Sequence, residues 1–116
     1  MAGAPHPSRG EVWLVDLDPT LGHEQGGKRP ALVISADGFN HSGAGLVAIL
    51  PLTTKEKKNP SHVSVSPPEG GLRQNGFVKC EDIRCASKQR LSSRWGNVSP
   101  RTLAQVSDRV RMLLGL

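Results

Sequence analysis

The chain has 116 residues, which predicts one domain large enough to bury a core without a metal or a disulfide. Its 13 glycines and 9 prolines, with 36% hydrophobic residues, favour a turn-rich β fold over a helical bundle. No apolar run approaches the roughly 18 residues of a membrane span. The first ten residues lack the apolar segment of a secretory signal, so we expect a cytoplasmic protein with a disordered tail over residues 1–8 and no membrane partner.

Charge is divided unevenly along the chain. The whole chain carries +5, whereas residues 1–27 hold one arginine against four carboxylates and leave +8 on the remainder. A basic surface of this kind favours binding to phosphate or to an acidic partner. A solvated surface that promotes solubility has the same composition, so charge alone leaves both interpretations open.

The first half of the chain predicts three strands. EVWLVDL at 11–17 alternates between apolar and polar residues and ends in a DPTLG turn. PALVIS at 30–35 and LVAILPL at 46–52 are continuous apolar runs, typical of central strands that are buried on both faces or line a small barrel. Pro51 cannot donate to a ladder, so we expect the third strand to bend near its end.

The second half predicts two more strands and a helix. HVSVS at 62–66 and GFVKCEDIRC at 76–85 have strand composition, with Asn75-Gly76 as the turn before the latter. Ser99 is a helix N-cap, Pro100 takes the first helical position, and an apolar stripe continues to Leu114. The prediction is therefore a mainly β (α+β) barrel-like domain over residues 9–116, with about five strands and a C-terminal helix.

Two cysteines are spaced C-x4-C. On one strand, Cys80 and Cys85 would point to opposite faces, because five positions separate them. We therefore predict two reduced thiols, with neither a disulfide nor a shared zinc site.

A glycine-rich, charged loop precedes the apolar run at 30–35. The glycines at 26 and 27 would let the backbone approach an anion, and Arg29 offers a planar set of donors to phosphate. Glu24 is placed to take a proton from a hydroxyl. A surface Glu–Arg ion pair of little energetic value has the same spacing. The loop lacks the G-x4-G-K-[ST] spacing of a P-loop.

Other polar residues are weaker candidates. Thr53 and Thr54 follow the buried strand at 46–52, where a hydroxyl can hold a phosphate oxygen or merely begin a turn. The four histidines have no metal-ligand spacing, so we predict no metal site. A two-histidine acid/base pair, as in some ribonucleases, stays open as an alternative, but we interpret all four as non-catalytic, with His23 a modulator beside the loop. Five basic residues form a cluster between positions 79 and 94: Lys79, Arg84, Lys88, Arg90 and Arg94. They either lie along a nucleic-acid backbone or form a solvated face. Aromatic residues make up 3% of the chain, which disfavours a stacking platform of the cold-shock or RRM type.

Three segments together resemble the MazF/PemK (Kid) family of toxin endoribonucleases. RGEVWLVDLDPTLGHEQGGKRPALVIS is similar to the N-terminal family signature of strand, D-x-[DS]-P turn, G-x-E-Q-x-G loop and R-P-x-[LV]-[VIL]. LPLTT, followed by Lys and Pro, resembles the second signature, and KCEDIRCASKQRL the third. The resemblance runs in order from about residue 9 to residue 114.

The resemblance implies an SH3-like β-barrel that acts as a homodimer. It also implies cleavage of single-stranded RNA without a metal or other cofactor, and neutralisation by a MazE-type antitoxin. The catalytic roles of the family carry over to Arg29, Thr53 and Glu24. Additional RNA contacts are predicted for Gln25, Lys28, Thr54, Lys55, Lys79 and Arg84.

Elementary chemistry agrees with that transfer. RNA supplies its own nucleophile, the 2′-OH, so Arg29 can stabilise charge on phosphorus while Thr53 donates to a phosphate oxygen. Arginine resists deprotonation, so we assign proton removal to Glu24, whereas the resemblance implies a larger acid/base share for Arg29; His23 is the third alternative for the base. The expected products carry a 2′,3′-cyclic phosphate and a 5′-OH.

Two alternatives share the predicted fold. A CcdB-like poison of DNA gyrase depends on a C-terminus of the Trp-Gly-Ile type, whereas this chain ends in Leu113-Leu114-Gly115-Leu116. A non-catalytic barrel would bind RNA without cutting it.

Overall fold

A computed structural model describes residues 5–18 and 27–116, in which seven strands and two α-helices form. Three short 3-10 turns, at Glu69–Gly71, Cys80–Asp82 and Lys88–Arg90, connect them. The strands are β1 Glu11–Asp16, β2 Lys28–Val33, β3 Leu46–Thr53, β4 His62–Val65, β5 Gly76–Lys79, β6 Arg84–Ser87 and β7 Leu91–Asn97. The helices are α1 Asp37–Asn40 and α2 Pro100–Leu114.

The strands form one antiparallel sheet. Its order is β4-β5-β3-β2-β1-β7, and β6 pairs with β3 beside that path. Within the described residues β4 and β7 do not pair with each other, so the sheet is open. The predicted mainly β fold with a C-terminal helix is confirmed, while the ladder is not closed into a barrel.

Strand β3 changes partner near its proline. Residues 46–49 pair with β6, whereas Leu52 and Thr53 pair with β5. Pro51 lies between these two segments and faces Ala31 of β2 in the register on the other side. A residue without an N–H is tolerated at such a change of partner, because no ladder bond is lost there.

Apolar side chains fill both faces of the sheet. One cluster includes Val12, Leu32 and Leu50, and packs against α2 through Val106. The other includes Val15, Val33 and Ile49. The continuous apolar runs of β2 and β3 supply both clusters alternately, which confirms the prediction of strands buried on both faces.

The C-terminal helix begins and ends as the sequence predicts. The Ser99 hydroxyl accepts a hydrogen bond from the Thr102 N–H at 3.1 Å, and Pro100 is the first helical residue. Gly115 ends the helix in the left-handed conformation, with φ of 70°. No helix among the described residues is long and apolar enough to cross a bilayer.

One strand predicted in the second half is wrong. Residues 76–85 do not form one strand, because a 3-10 turn at Cys80–Asp82 separates β5 from β6. The Lys79 ammonium and the Asp82 carboxylate pair across that turn at 3.1 Å. Cys80 and Cys85 therefore do not share a strand; both are free thiols, the first buried and the second exposed. Burial, reinforced by the Glu81 charge, raises the pKa of the Cys80 thiol to about 11.

A seventh strand, β7, escaped the sequence analysis. Its sequence LSSRWGN is polar, and residues 92–95 are exposed. It is a strand because its backbone pairs with β1 along the edge of the sheet. Of the tail predicted for residues 1–8, residues 5–8 are described, and the His6 ring stacks on His41 with centroids 4.2 Å apart.

Candidate active site

A cleft of about 590 Å³ opens where β2 begins and β3 ends. Two arginines, two threonines and a tryptophan contribute to its wall, together with apolar side chains from β3 and from the 3-10 turn that precedes β5. The cleft is lined by Arg29, Pro30, Leu52, Thr53, Thr54, Gly71, Leu72, Arg73, Gln74, Gly76 and Trp95.

Strand register brings Arg29 and Thr53 to this cleft. β2 and β3 pair in a register that sets Ala31 opposite Pro51. The β2–β3 ladder ends at that pair; continuing its register by two residues would set Arg29 beside Thr53, and both residues line the cleft. Directly opposed residues of an antiparallel pair point to the same face, with Cβ atoms about 5 Å apart. A guanidinium and a hydroxyl can then act on one phosphate group.

Thr53 is held in a defined orientation. It is 6% exposed, and its Oγ1 accepts a hydrogen bond from the Lys55 N–H at 3.2 Å. Since the oxygen accepts this bond, the hydroxyl hydrogen can be donated into the cleft. Such a donor suits a phosphate oxygen, which only accepts.

Hydrogen bonds join the residues after β1 to Gly27, the residue before β2. The Leu17 N–H donates to the Gly27 carbonyl at 2.9 Å, and the Gly27 N–H donates to Asp18 Oδ1 at 2.9 Å. Gly27 has a φ of +76°, which a glycine adopts without strain. Arg90 donates from Nη1 to the Asp16 carbonyl at 3.2 Å and to the Asp18 carbonyl. Leu17 and Asp18 thus hold the residue that precedes the strand carrying Arg29, and Arg90 holds the end of β1 beside it.

Residues 19–26 lie outside the described residues. The predicted roles of Glu24 and Gln25, and that of His23, stay predictions.

Of the remaining predicted RNA contacts, Thr54 lines the cleft. Lys55 is exposed and is not part of the lining, so its RNA contact stays a prediction. Lys28 lines a second cleft, of about 620 Å³, together with Asp16 and Arg90.

Lys79 and Arg84 are not part of the cleft lining. Lys79 is 8% exposed and paired with Asp82. Arg84 is half-buried on β6, and its buried Nη1 has no hydrogen-bond partner among the described residues. The RNA contacts predicted for both stay predictions.

Much of the basic cluster predicted between residues 79 and 94 has partners inside the fold. Arg94 Nε lies 2.7 Å from Glu11 Oε2, while Lys79 and Arg90 make the contacts given above. Burial raises the pKa of Glu11, but hydrogen bonds from the Ser8 N–H, Trp13 and Arg94 outweigh it and leave this pKa below its ordinary value. Arg94 thus links β7 to β1, and Arg90, which precedes β7, contacts the end of β1.

Sequence reasoning missed Arg73, Gln74 and Trp95 as cleft residues. Trp95 lies on the strand that was not predicted, and the other two follow the proline- and glycine-rich segment SPPEGG at 66–71. The pair of polar side chains after SPPEGG, and an isolated tryptophan in a polar stretch, were the available signals.

No metal centre emerges from the residues that the structure describes. Across residues 5–18 and 27–116, no three His, Cys, Asp or Glu side chains come together in a way that could hold an ion.

Comparison with known proteins identifies the family. Residues 8–114 match the PemK-like, MazF-like toxins of type II toxin-antitoxin systems. The endoribonuclease MazF9 of Mycobacterium tuberculosis is 36% identical over 113 residues, covering 93% of this chain and 96% of the relative. The chain therefore belongs to the PemK/MazF toxin family, which confirms the resemblance found in the sequence.

Solved structures agree with that assignment. MazF of Deinococcus radiodurans (Form-I) superposes with a TM-score of 0.86 at 30% identity, covering 97% of this chain and 99% of the other. A mycobacterial endoribonuclease in complex with its cognate antitoxin superposes with a TM-score of 0.80 at 28% identity, covering 95% and 96%.

Proposed function

We propose that this chain is a sequence-specific endoribonuclease toxin that cleaves single-stranded messenger RNA without a metal and so inhibits translation and growth. Its family and the endoribonuclease activity named for its relatives support the reaction class. The observation that carries the proposal is the position of Arg29 and Thr53 on one cleft, on neighbouring strands.

The reaction needs three actions on the RNA. A base removes the proton from the 2′-OH, the developing charge on the phosphate is stabilised, and the leaving 5′-oxygen gains a proton. The Arg29 guanidinium meets the phosphate oxygens as a fixed cation and donates a hydrogen bond to the leaving 5′-oxygen, which gains its proton from water. The Thr53 hydroxyl donates a hydrogen bond to another oxygen of the same phosphate. We assign the base to Glu24.

These steps determine the products. The O2′–P bond forms as the P–O5′ bond breaks, so one fragment ends in a 2′,3′-cyclic phosphate and the other begins with a 5′-OH. Because an arginine supplies the positive charge, the mechanism requires no metal. DNA lacks the 2′-OH and is not a substrate.

We also propose the partners that regulate this activity. The relatives include a mycobacterial endoribonuclease in complex with its cognate antitoxin and a MazE–MazF complex of Deinococcus radiodurans. An acidic antitoxin segment laid along the basic cleft would exclude RNA. We further propose that the protein acts in the cytoplasm as a homodimer.

A cleavage assay in chelator tests the function. Purified protein is incubated with a long single-stranded RNA in EDTA, and the cut sites and end groups are determined. We expect cuts at a short recurring sequence with cyclic phosphate and 5′-OH ends, none with Arg29→Ala, and unchanged cutting with Arg101→Ala on the exposed face of α2. Intact RNA with all three proteins, or cutting that EDTA abolishes, would contradict the proposal.

A further inference from the structure

The proposed chemistry leaves several residues of the cleft unused. Leu72, Arg73 and Gln74 from the segment before β5, and Trp95 from β7, line the same cleft as the reacting groups. Trp95 is 39% exposed, a large fraction for an indole, and is the one aromatic residue among the described lining residues. An exposed tryptophan in a cleft beside a phosphate-binding pair calls for a ligand with a flat apolar face.

Glycine packing holds Trp95 against this segment. A Cβ on Gly71 would lie 2.1 Å from the Trp95 carbonyl oxygen, and one on Gly96 would lie 2.8 Å from the Gly71 nitrogen. Both positions therefore require glycine, and Gly71 also has a φ of +73°. Backbone packs directly on backbone, so the chain at Trp95 is held against the segment that leads to Arg73 and Gln74.

We propose that Trp95 forms a nucleobase subsite, in which a base next to the scissile phosphate stacks on the indole. This inference rests on the proposed ribonuclease function and adds to it a residue that helps select the cut site. Every nucleobase has a π face, and stacking on an aromatic side chain tolerates different bases.

The neighbouring side chains complement the rest of a nucleotide. Arg73 is exposed and cationic, so it suits the adjacent phosphate, as Arg29 suits the scissile one. The Gln74 amide carries both donors and an acceptor, which is what a base edge needs for selection. The low aromatic content of the chain excludes an extended stacking platform, whereas a single base requires one ring.

Tryptophan fluorescence tests the contact directly. The chain contains two tryptophans, so Trp13→Phe leaves Trp95 as the single reporter. The probe is the mapped target RNA made uncleavable by a 2′-deoxy nucleotide at the cut. We expect saturable quenching or shift of the emission at the concentrations at which fluorescence anisotropy detects binding. Binding that leaves the Trp95 emission unchanged would overturn the subsite.

An abasic scan tests the energetics. Target RNAs that lack one base at a time around the cut are compared with intact RNA, using wild-type protein and Trp95→Ala. At one position, removing the base should lower wild-type kcat/KM by roughly 5- to 150-fold, the range for one stacked base. On intact RNA, Trp95→Ala should lower kcat/KM by about the same factor. On that abasic RNA, kcat/KM of Trp95→Ala should be little lower than that of the wild type. Trp95→Phe should retain most of the wild-type activity.

Controls separate the subsite from the function. Phe39, on α1 outside the cleft, is also 39% exposed, so Phe39→Ala should keep the wild-type abasic profile. In one outcome the wild type cuts RNA while base removal and Trp95→Ala lower kcat/KM independently at every position, so that the two factors multiply. That result would overturn the subsite and leave the proposed ribonuclease function intact. If the wild type binds RNA without cutting it, the proposed function is wrong, and the emission of Trp95 on titration with the long single-stranded RNA that it binds still decides whether a base stacks there.

Discussion

Arg29 and Thr53 line one cleft from neighbouring antiparallel strands, two register positions beyond the paired residues Ala31 and Pro51. A cation that is always charged and a hydroxyl that can donate therefore lie within reach of one phosphodiester. Both residues stand on strands of the sheet, Arg29 near the start of β2 and Thr53 at the end of β3.

Replacing the guanidinium should remove most of the activity. Arg29→Ala is expected to lower kcat/KM for RNA by roughly 100-fold or more, by analogy with the loss of one preorganised donor to a developing anion. Arg29→Lys retains the charge without the planar set of donors, so its kcat/KM should lie between the values for wild type and Arg29→Ala. Single-turnover cleavage measures both. A loss of only about tenfold for Arg29→Ala would assign this residue to binding alone.

Thr53→Val should slow cleavage while preserving the shape of the side chain. A hydrogen bond to a charged group is worth about 1.5–3 kcal/mol, so we expect a decrease of roughly 10- to 150-fold in kcat/KM. Thr53→Ser keeps the donor and should retain most of the activity. Equal losses for the two variants would show that the methyl packing, and not the hydroxyl, matters at this position.

Much of the fold was predictable because it follows from local patterns. The apolar runs of β2 and β3 and the capped helix α2 appear in the sequence as continuous or periodic signals. Strand β7 has no such signal, because its side chains face solvent and its pairing with β1 defines it. The division of residues 76–85 into two strands depends on the Lys79–Asp82 contact across a turn, which strand composition does not encode.

The site was predictable in part, for a similar reason. Arg29 and Thr53 stand out by residue type and by position next to buried strands. Their approach depends on register, which only the three-dimensional pairing reveals. Trp95 could not be placed at the cleft without β7 and the close glycine packing beside it.

The hydrogen bond between Asp18 and Gly27 should position Arg29. Asp18→Ala removes the acceptor of the Gly27 N–H, two residues before Arg29. Small displacements of a catalytic group can lower rates by up to about 100-fold, so we expect a decrease of about tenfold or more in kcat. The unfolding free energy should change by about 1 kcal/mol at most. Asp18→Asn keeps an acceptor oxygen and should restore the rate; a variant as impaired as Asp18→Ala would contradict a positioning role.

Glu69 should make the fold sensitive to acid. Burial raises its pKa, but hydrogen bonds from the Thr102 hydroxyl and from the Ser99 N–H and hydroxyl outweigh it, so the pKa lies below its ordinary value. The folded state therefore favours the carboxylate. This stabilisation is fully present above the unfolded pKa of about 4.5 and is lost as pH falls through the lower folded value.

Urea unfolding of Glu69→Gln checks that sign. At about pH 7 the variant should be less stable than wild type by about 1 kcal/mol, and the difference should shrink towards about pH 3. The exposed Glu56→Gln is the matched control and should show a small, pH-independent difference. A difference for Glu69→Gln that grows on acidification would contradict the argument.

The central claim is that the ribose next to the scissile phosphate attacks it while Arg29 and Thr53 hold that phosphate. The most direct test is a target RNA with a single 2′-deoxy nucleotide on the 5′ side of the mapped cut, assayed in EDTA beside the all-ribose RNA. We predict that the substituted RNA binds with similar affinity and is not cut there, whereas the all-ribose RNA yields a 2′,3′-cyclic phosphate. Cleavage of the substituted RNA at the same bond would contradict the account.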